Sequence, residues 1–263
     1  MRMRIQHPDV TVVIPTRNEA MNLPHVARRM PDGIAEIIVV DGNSTDGTIA
    51  VAQRLWPDAR VITQTRKGKG NALACGFAAA RGQIIVMIDA DGSTDAGEIP
   101  MFVQSLCDGA DFAKGSRFTY RGGSSDITRL RRLGNLGLNT IVNRLYASSF
   151  TDLCYGYNAF WRHCLPTIGL PDPTLNEPQW GDGFEVETLM NIRVARAGLR
   201  IVEVASYERD RIHGESNLNA VSDGIRVLRT IFDERSTTGT HLADAPRERI
   251  ALAPVTDLTA QAG

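Results

Sequence analysis

The chain has 263 residues, 43% of them hydrophobic and 22% charged, with a formal net charge of −1. That balance belongs to an ordinary globular protein of one large or two small domains. A near-neutral surface excludes a general nucleic-acid binder, which needs a basic excess to displace counterions.

The opening residues, MRMRIQHPDV, are charged without an apolar core, so no secretory signal is read there. No window of about 18 uncharged apolar residues occurs, so no membrane span is expected. Cys75, Cys107, Cys154 and Cys164 lack the close pairing of zinc or thioredoxin motifs. They read as reduced, partly buried residues of a cytoplasmic protein.

In chain order, the β-branched runs VTVVI (10–14), EIIVV (36–40), ARVIT (59–63) and QIIVMI (83–88) read as buried strands. Helix-period segments fall between and after them, at 19–30, 46–55, 70–80 and 96–106. The second has a start signal, Ser44 or Thr45 ahead of Asp46. Apolar strands alternating with helices predict an α/β fold, its mostly parallel central sheet flanked by helices on both faces.

A further strand is expected in ADFAKGSR (110–117), followed by the loop FTYRGGSSD and a basic helix over 128–148. A mixed segment with TDLCYGYNAFWR comes next, then a helix over 183–198, the strand LRIVEV (199–204) and the loop ERDRIHGESNL. The last helix, 218–233, sets Leu218, Val221, Ile225, Leu228 and Phe232 at three- and four-residue spacing. Beyond Arg235 the composition loses its period, and 236–263 reads as a disordered tail.

Open α/β sheets bind ligands at the carboxyl ends of their strands. Polar clusters follow each of the first four strands: PTRNE, DGNSTDGT, RKGKGN and DADGS. Four such clusters on one edge predict one site. Within it, Asp89 and Asp91 stand either side of Ala90 and on an extended chain project to one face. Two acids held together need a cation, either Arg/Lys or a metal. Mg²⁺ and Mn²⁺ take one or two carboxylates and fill their shell with water and phosphate oxygens. KGKGN, with Lys67 and Lys69 ahead of a helix, reads as an anion cradle. Neither a P-loop nor a dinucleotide glycine signature is present.

VIPTRNEAMNL, IIVVDGNSTDGT, KGKGNALACGFAAARG, IDADGS, KGSRF, GFEVETLMNIRVARAG and RIHGESNL occur in the order found in family-2 glycosyltransferases. The chain resembles most the dolichyl- or polyprenyl-phosphate mannose or glucose synthases, from about residue 10 to residue 234. The resemblance implies a GT-A fold and an inverting transfer of a hexose from a GDP- or UDP-linked sugar. It implies base and ribose contacts from Pro15, Arg17, Glu19 and Asp41, and a divalent cation on Asp89 and Asp91, assisted by Ser93. Lys69 and Ala90 join the donor site. Arg209, Arg211, His213 and Ser216 form a lid on the diphosphate, with Arg209 and Asp91 counted as catalytic.

Two acceptors stay open. A small-molecule hydroxyl needs a base, and the family pattern counted back from Arg193 and Gly198 puts Glu187 in that slot, ahead of Glu185. A polyprenyl phosphate needs cations instead. Arg117 and Arg131 match the family's acceptor positions, with Arg129 and Arg132 nearby, whereas Asn135 stands where a serine is common. The leucines and isoleucines of this basic helix suit the core better than a membrane interface. Relatives often carry transmembrane helices that this sequence lacks, and the insertion PDPTLNEPQWGDG (171–183) suits a soluble acceptor.

The expected organisation is a single catalytic domain over 1–235, with a nucleotide-sugar half (10–118) and an acceptor half with lid (119–235). The location is cytoplasmic, with contact at the inner membrane face and a homodimer both left open. Two other classes compete with this reading. A sugar-1-phosphate nucleotidyltransferase needs a Gly-rich basic loop where Pro15 to Glu19 stand. A silent nucleotide-sugar binder needs neither acid pair nor lid.

Overall fold

The computed structural model describes residues 8–214 and 220–236. Its first half runs β1 (Val10–Thr16), α1 (Leu23–Arg29), β2 (Glu36–Asp41), α2 (Thr48–Leu55), β3 (Arg60–Thr63), α3 (Lys69–Ala79), β4 (Ile84–Met87) and α4 (Ile99–Cys107). The second half runs β5 (Phe112–Ser116), β6 (Gly123–Ser124), α5 (Arg129–Tyr146), β7 (Asn158–Trp161) and α6 (Leu165–Ile168). It closes with α7 (Val186–Arg196), β8 (Ile201–Ala205), β9 (Tyr207–Glu208) and α8 (Ala220–Ser236).

Among the described residues seven strands form one sheet in the order β3-β2-β1-β4-β7-β5-β8, and β6 pairs with β9. β1 lies parallel to β2 and β4, and β2 parallel to β3, so these four strands end on one edge. The chain winds from β1 out to β3 and returns to the other flank of β1 for β4. The switch point therefore lies between β1 and β4, where an open sheet leaves a crevice. β7 enters antiparallel between β4 and β5. Its four residues carry no usable period, so the strand leaves no mark in the sequence pattern.

Both faces of the sheet are buried. On β1, Val10, Val12 and Ile14 pack with α1, α2 and α4, while Val13 packs with α3 and α7 on the other side. β4 divides Ile84 and Val86 from Ile85 and Met87 in the same way. A two-residue period thus deals one continuous apolar run into two layers. A third cluster joins Val142 of α5, Ile192 of α7, and Val227 and Ile231 of α8.

Several expectations change. α2 starts at Thr48 behind Gly47, which takes φ +88°. Asp46 accepts from the Thr48 amide and, through its other oxygen, from the Ala20 amide, so it joins two loops. Leu130, Leu133 and Leu136 of α5 are 72%, 67% and 61% exposed, not core residues. The inward stripe of that stretch is Asn135 and Asn139, whose amides donate to the Thr151 carbonyl. Cys154 is exposed, whereas Cys75 and Cys164 are buried. Leu218 and the expected tail from 237 onward lie outside the described residues.

The 171–183 insertion is fastened to the loop before α3. Arg66 donates twice to the Asp182 carboxylate, at 2.8 Å each, and through Nη1 to the carbonyls of Asp172 and Leu175. The Asn71 amide donates to the Asp182 carbonyl. A Cβ on Gly68 or Gly70 would collide with the carbonyls of Asp182 and Gly181. These glycines serve close backbone approach. The anion-cradle reading of KGKGN is corrected accordingly, because the insertion's own carbonyls occupy that helix start. The Arg66 and Asp182 side chains are 3% and 7% exposed, so removing one charge strands the other. Asp182→Asn is expected to cost about 3 kcal/mol, read as a lower urea midpoint at unchanged slope.

Candidate active site

The loops after β1 and β2 are stitched together at the sheet edge. Asn18, at φ +57°, donates its amide to Ser44 Oγ and accepts from the Thr45 amide. The Glu19 amide donates to Thr48 Oγ1 at 2.9 Å. Asp41, the last residue of β2, is 2% exposed. One of its oxygens accepts from the Ser44 amide, and the other, Oδ1, has no hydrogen-bond partner. A buried carboxylate oxygen left unpaired is uncommon and marks a place for a ligand N–H or O–H. Pro15 is half-buried at the end of β1, and Arg17 is exposed beside it.

The strand β4 ends at Met87, so the alternation expected to aim Asp89 and Asp91 alike does not reach them. The chain turns through Ala90 and Gly92, the latter at φ +79°, and each acid meets a different cation. Lys69, the first residue of α3, lies 2.6 Å from Asp89 Oδ1 and 2.8 Å from Glu187 Oε1. Arg211 lies 3.4 Å from Asp91 Oδ2. Burial opposes the charge on Lys69, but Asp89 and Glu187 outweigh it and hold the amine well above the usual lysine value.

Glu187 sits in the first turn of α7, inside the site, with Lys69 and Asp89. Glu185 turns away: its Oε1 accepts from the Gly181 and Gly183 amides. The floor of this cluster is Gly156, a residue that nothing in the sequence singled out. A Cβ there would stand 2.9 Å from Lys69 Nζ, 3.0 Å from Glu187 Oε1 and 3.4 Å from Asp89 Oδ2. Lys114, wholly buried on β5, holds this segment by donating to the Tyr155 carbonyl at 2.6 Å. Burial pushes its amine down to about 8, against the pull of Asp152 and Glu203.

The chemistry of the acid pair fits a divalent cation. Asp89 and Asp91 offer hard carboxylate oxygens and stay 33% and 22% exposed. Asp91 Oδ1 is oriented by the amide and hydroxyl of Ser93, at 3.0 and 2.7 Å. Among the described residues no group of three or more metal-ligating side chains gathers, so a cation here would draw on phosphate and water as well.

The segment from Arg209 to His213 lies over the acid pair. The Arg209 amide donates to the Ser93 carbonyl and the Ile212 amide to the Asp91 carbonyl. Arg211 Nη2 reaches Glu19 Oε1 at 2.6 Å, and Asn22 bonds both the amide and the carbonyl of His213. Burial raises the Glu19 carboxyl above its ordinary value, against hydrogen bonds from Asn22 and Arg211. The Arg209 side chain stands apart, 3.6 Å from Asp95. Ser216 lies outside the described residues.

Of the arginines read as acceptor contacts, Arg117 is engaged internally. Its guanidinium donates twice to Asp152 and once to Glu208, and lies 4.9 Å from the Tyr155 ring. Asn135 likewise faces inward. Arg131 lies near the surface, 3.2 Å from Asp126. A cleft of about 390 Å³ opens here, lined by Arg117, Phe118, Ser124, Ile127, Arg132 and Tyr207 among others. The sequence carries no local signal for Asp152 or Glu208, which lie 35 and 91 residues from Arg117.

An α/β sheet whose strand ends gather an acid pair, a lysine and a basic overlying loop has the layout of a GT-A nucleotide-sugar enzyme. The chain belongs to glycosyl transferase family 2, whose family model matches residues 11–169. It is 33% identical to glycosyltransferase AglJ of Haloferax volcanii over 235 residues, 88% of this chain and 73% of that one. It is 30% identical to a dolichyl-phosphate hexose transferase of the same organism over 226 residues, 85% of this chain and 92% of that one. Among solved structures it resembles glucosyl-3-phosphoglycerate synthase from Mycobacterium tuberculosis in complex with Mn²⁺, UDP and phosphoglyceric acid. That likeness has a TM-score of 0.66 at 26% identity and covers 87% of this chain and 79% of the other. The same synthase has been solved with Mg²⁺ and UDP. The fold is GT-A, and the chain is a glycosyltransferase.

Gly156→Ala tests the floor of the site. The neighbours its Cβ would meet are the far ends of side chains and not backbone, so the fold tolerates it while Lys69, Glu187 and Asp89 shift. Sugar transfer is expected to fall by about tenfold or more, with thermal unfolding little changed.

Proposed function

We propose that this enzyme moves a hexose from a GDP- or UDP-linked sugar to an acceptor with inversion at the anomeric carbon, using Mg²⁺ or Mn²⁺. The observation that carries this is the acid pair at the end of β4, partly exposed at the switch point and clamped by Lys69 and Arg211. Asp89 and Asp91 would hold the cation, which when bound neutralises charge on the departing diphosphate.

The chain's own residues do the rest. Asp41 Oδ1 accepts from a base N–H, a bond that either uracil or guanine can supply. Pro15, Arg17 and Glu19 border the same nucleotide. Lys69 and Arg211 present cations to the donor phosphates, and the segment from Arg209 to His213 covers them. Covering matters energetically: a charge pair about 4 Å apart gains about 1 kcal/mol in water, but about 4 at an effective dielectric of roughly 20. Residues 10–118 form the donor half and 119–235 the acceptor half with its lid.

The acceptor is a polyprenyl phosphate or a small-molecule hydroxyl. The named dolichyl-phosphate relative and the cleft lined by Arg132 support the first. For the second, Glu187 is the general base, its carboxylate held in the site 2.8 Å from Lys69. Arg117, held by Asp152 and Glu208, acts by shaping the cleft rather than by gripping a phosphate.

Asp91→Asn is expected to abolish transfer, by about a hundredfold or more, with the circular dichroism spectrum unchanged. Full turnover by that variant would remove the acid pair from the reaction. Arg131→Ala and Glu187→Gln separate the acceptors. Loss in the first alone identifies a phosphate acceptor, and loss in the second alone a hydroxyl. Each is measured as product formed from GDP- and UDP-sugars with either acceptor class.

A further inference from the structure

We propose, on the reading that the segment from Arg209 to His213 covers the donor phosphates, that Glu98 is a positioning residue that anchors the root of this cover. Support from the sheet stops short of the segment. β8 ends at Ala205, paired with Ser116 of β5. Between Ala205 and Arg209 the chain has only β9, two residues long and paired with the two residues of β6. A ribbon so short does not hold itself together in water, so side chains must fix it.

Glu98 meets the ribbon where it starts. Its Oε2 accepts from the Ser206 hydroxyl at 2.5 Å, and its Oε1 from the Tyr207 amide at 3.1 Å. Ser206 Oγ lies in turn 2.9 Å from the Tyr155 hydroxyl, so the anchor is braced by the residue next to Gly156. Glu98 closes the short turn Ala96–Glu98 ahead of α4, on the loop that leaves the acid pair. A helix start favours an acid. That preference accounts for a carboxylate here, but not for both of its oxygens being spent on the junction of β8 and β9.

Past the anchor, the Arg209 amide reaches the Ser93 carbonyl at 2.9 Å and the Ile212 amide the Asp91 carbonyl at 3.4 Å. The loop after β4 therefore holds the cover twice, at its root through Glu98 and along its length through Ser93 and Asp91. Arg211 supplies the charge, and Glu98 fixes where that charge is aimed. A cover ordered before the donor arrives spares binding the cost of ordering it. Loosening the root weakens donor binding and leaves the base pocket around Asp41 as it was.

The test pairs hydrogen exchange by mass spectrometry with calorimetry on the full chain, for Glu98→Ala, Glu98→Gln and Arg211→Ala. The calorimetric probe is UDP or GDP with Mn²⁺, whichever the wild type binds more tightly. In Glu98→Ala, amides over 206–213 are expected to exchange about tenfold or more faster, while the loops after β1 and β2 exchange as in the wild type. The Kd of the nucleotide is expected to rise about tenfold at unchanged stoichiometry. A merely less stable fold would instead lower the stoichiometry and leave Kd alone. Glu98→Gln is expected to restore most of both, since its carbonyl still accepts from the Tyr207 amide and its NH₂ donates to Ser206 Oγ. Unchanged exchange over 206–213 in Glu98→Ala would overturn the anchor. So would a Kd raised by Arg211→Ala but left at the wild-type value by Glu98→Ala. If Arg211→Ala binds the nucleotide as the wild type does, the covering role itself fails, and exchange alone decides whether Glu98 is the anchor.

Discussion

Negative charge crowded at the carboxyl edge of a buried parallel sheet is the constraint on which this structure depends. Asp41, Asp89, Asp91, Glu19 and Glu187 come from four separate stretches of chain, and the sheet brings them to one edge. Carboxylates so placed repel one another and resist leaving water unless cations lie between them. Lys69 answers for Asp89 and Glu187, and Arg211 for Asp91 and Glu19. The two cations come from opposite sides of the site, one from the start of a helix and one from the covering loop. The acid pair is therefore balanced before any ligand arrives.

That balance explains why bare backbone is needed around it. Gly156 leaves room for the lysine and both of its carboxylates. Gly92, at φ +79°, lets Ile212 of the covering loop close onto the turn after β4. Gly68 and Gly70 admit the carbonyls of the insertion, which in turn fixes where Lys69 begins its helix. Side chains at these positions would push apart groups whose attraction falls off with distance. The scaffold around the site is tight for an electrostatic reason.

The second half of the chain is held by a different ionic arrangement. Arg117 gathers Asp152 and Glu208, joining the end of β5 to the β7 approach and to β9. Its side chain is 10% exposed, and Asp152 is fully buried. This pairing holds the wall of the cleft beside α5 and leaves the surface arginines of that helix to face outward. No helix among the described residues is long and apolar enough to cross a membrane. The leucines at the start of α5 lie on the surface, beside the cleft.

The first four strands were legible from their β-branched runs, and the shared edge followed from strand–helix alternation. Asp89, Asp91, Lys69, Glu187 and Arg211 were all picked out by position or by family resemblance, and they do come together. β7 was not legible, being too short to show a period. Neither were Gly156, Arg66 or Asp182, whose meaning lies in contacts with distant parts of the chain. The leucines of α5 read as core, because helical spacing says which residues share a face and not what that face meets. Sequence by itself determined the α/β class, the edge where the polar clusters gather and the acid pair, since those depend on local period and residue type. Only the tertiary structure decided which cation neutralises which acid, that Arg117 is turned inward and that α5 shows leucines to solvent. Such pairings are set by distance in space between residues far apart in sequence, and no local pattern encodes it.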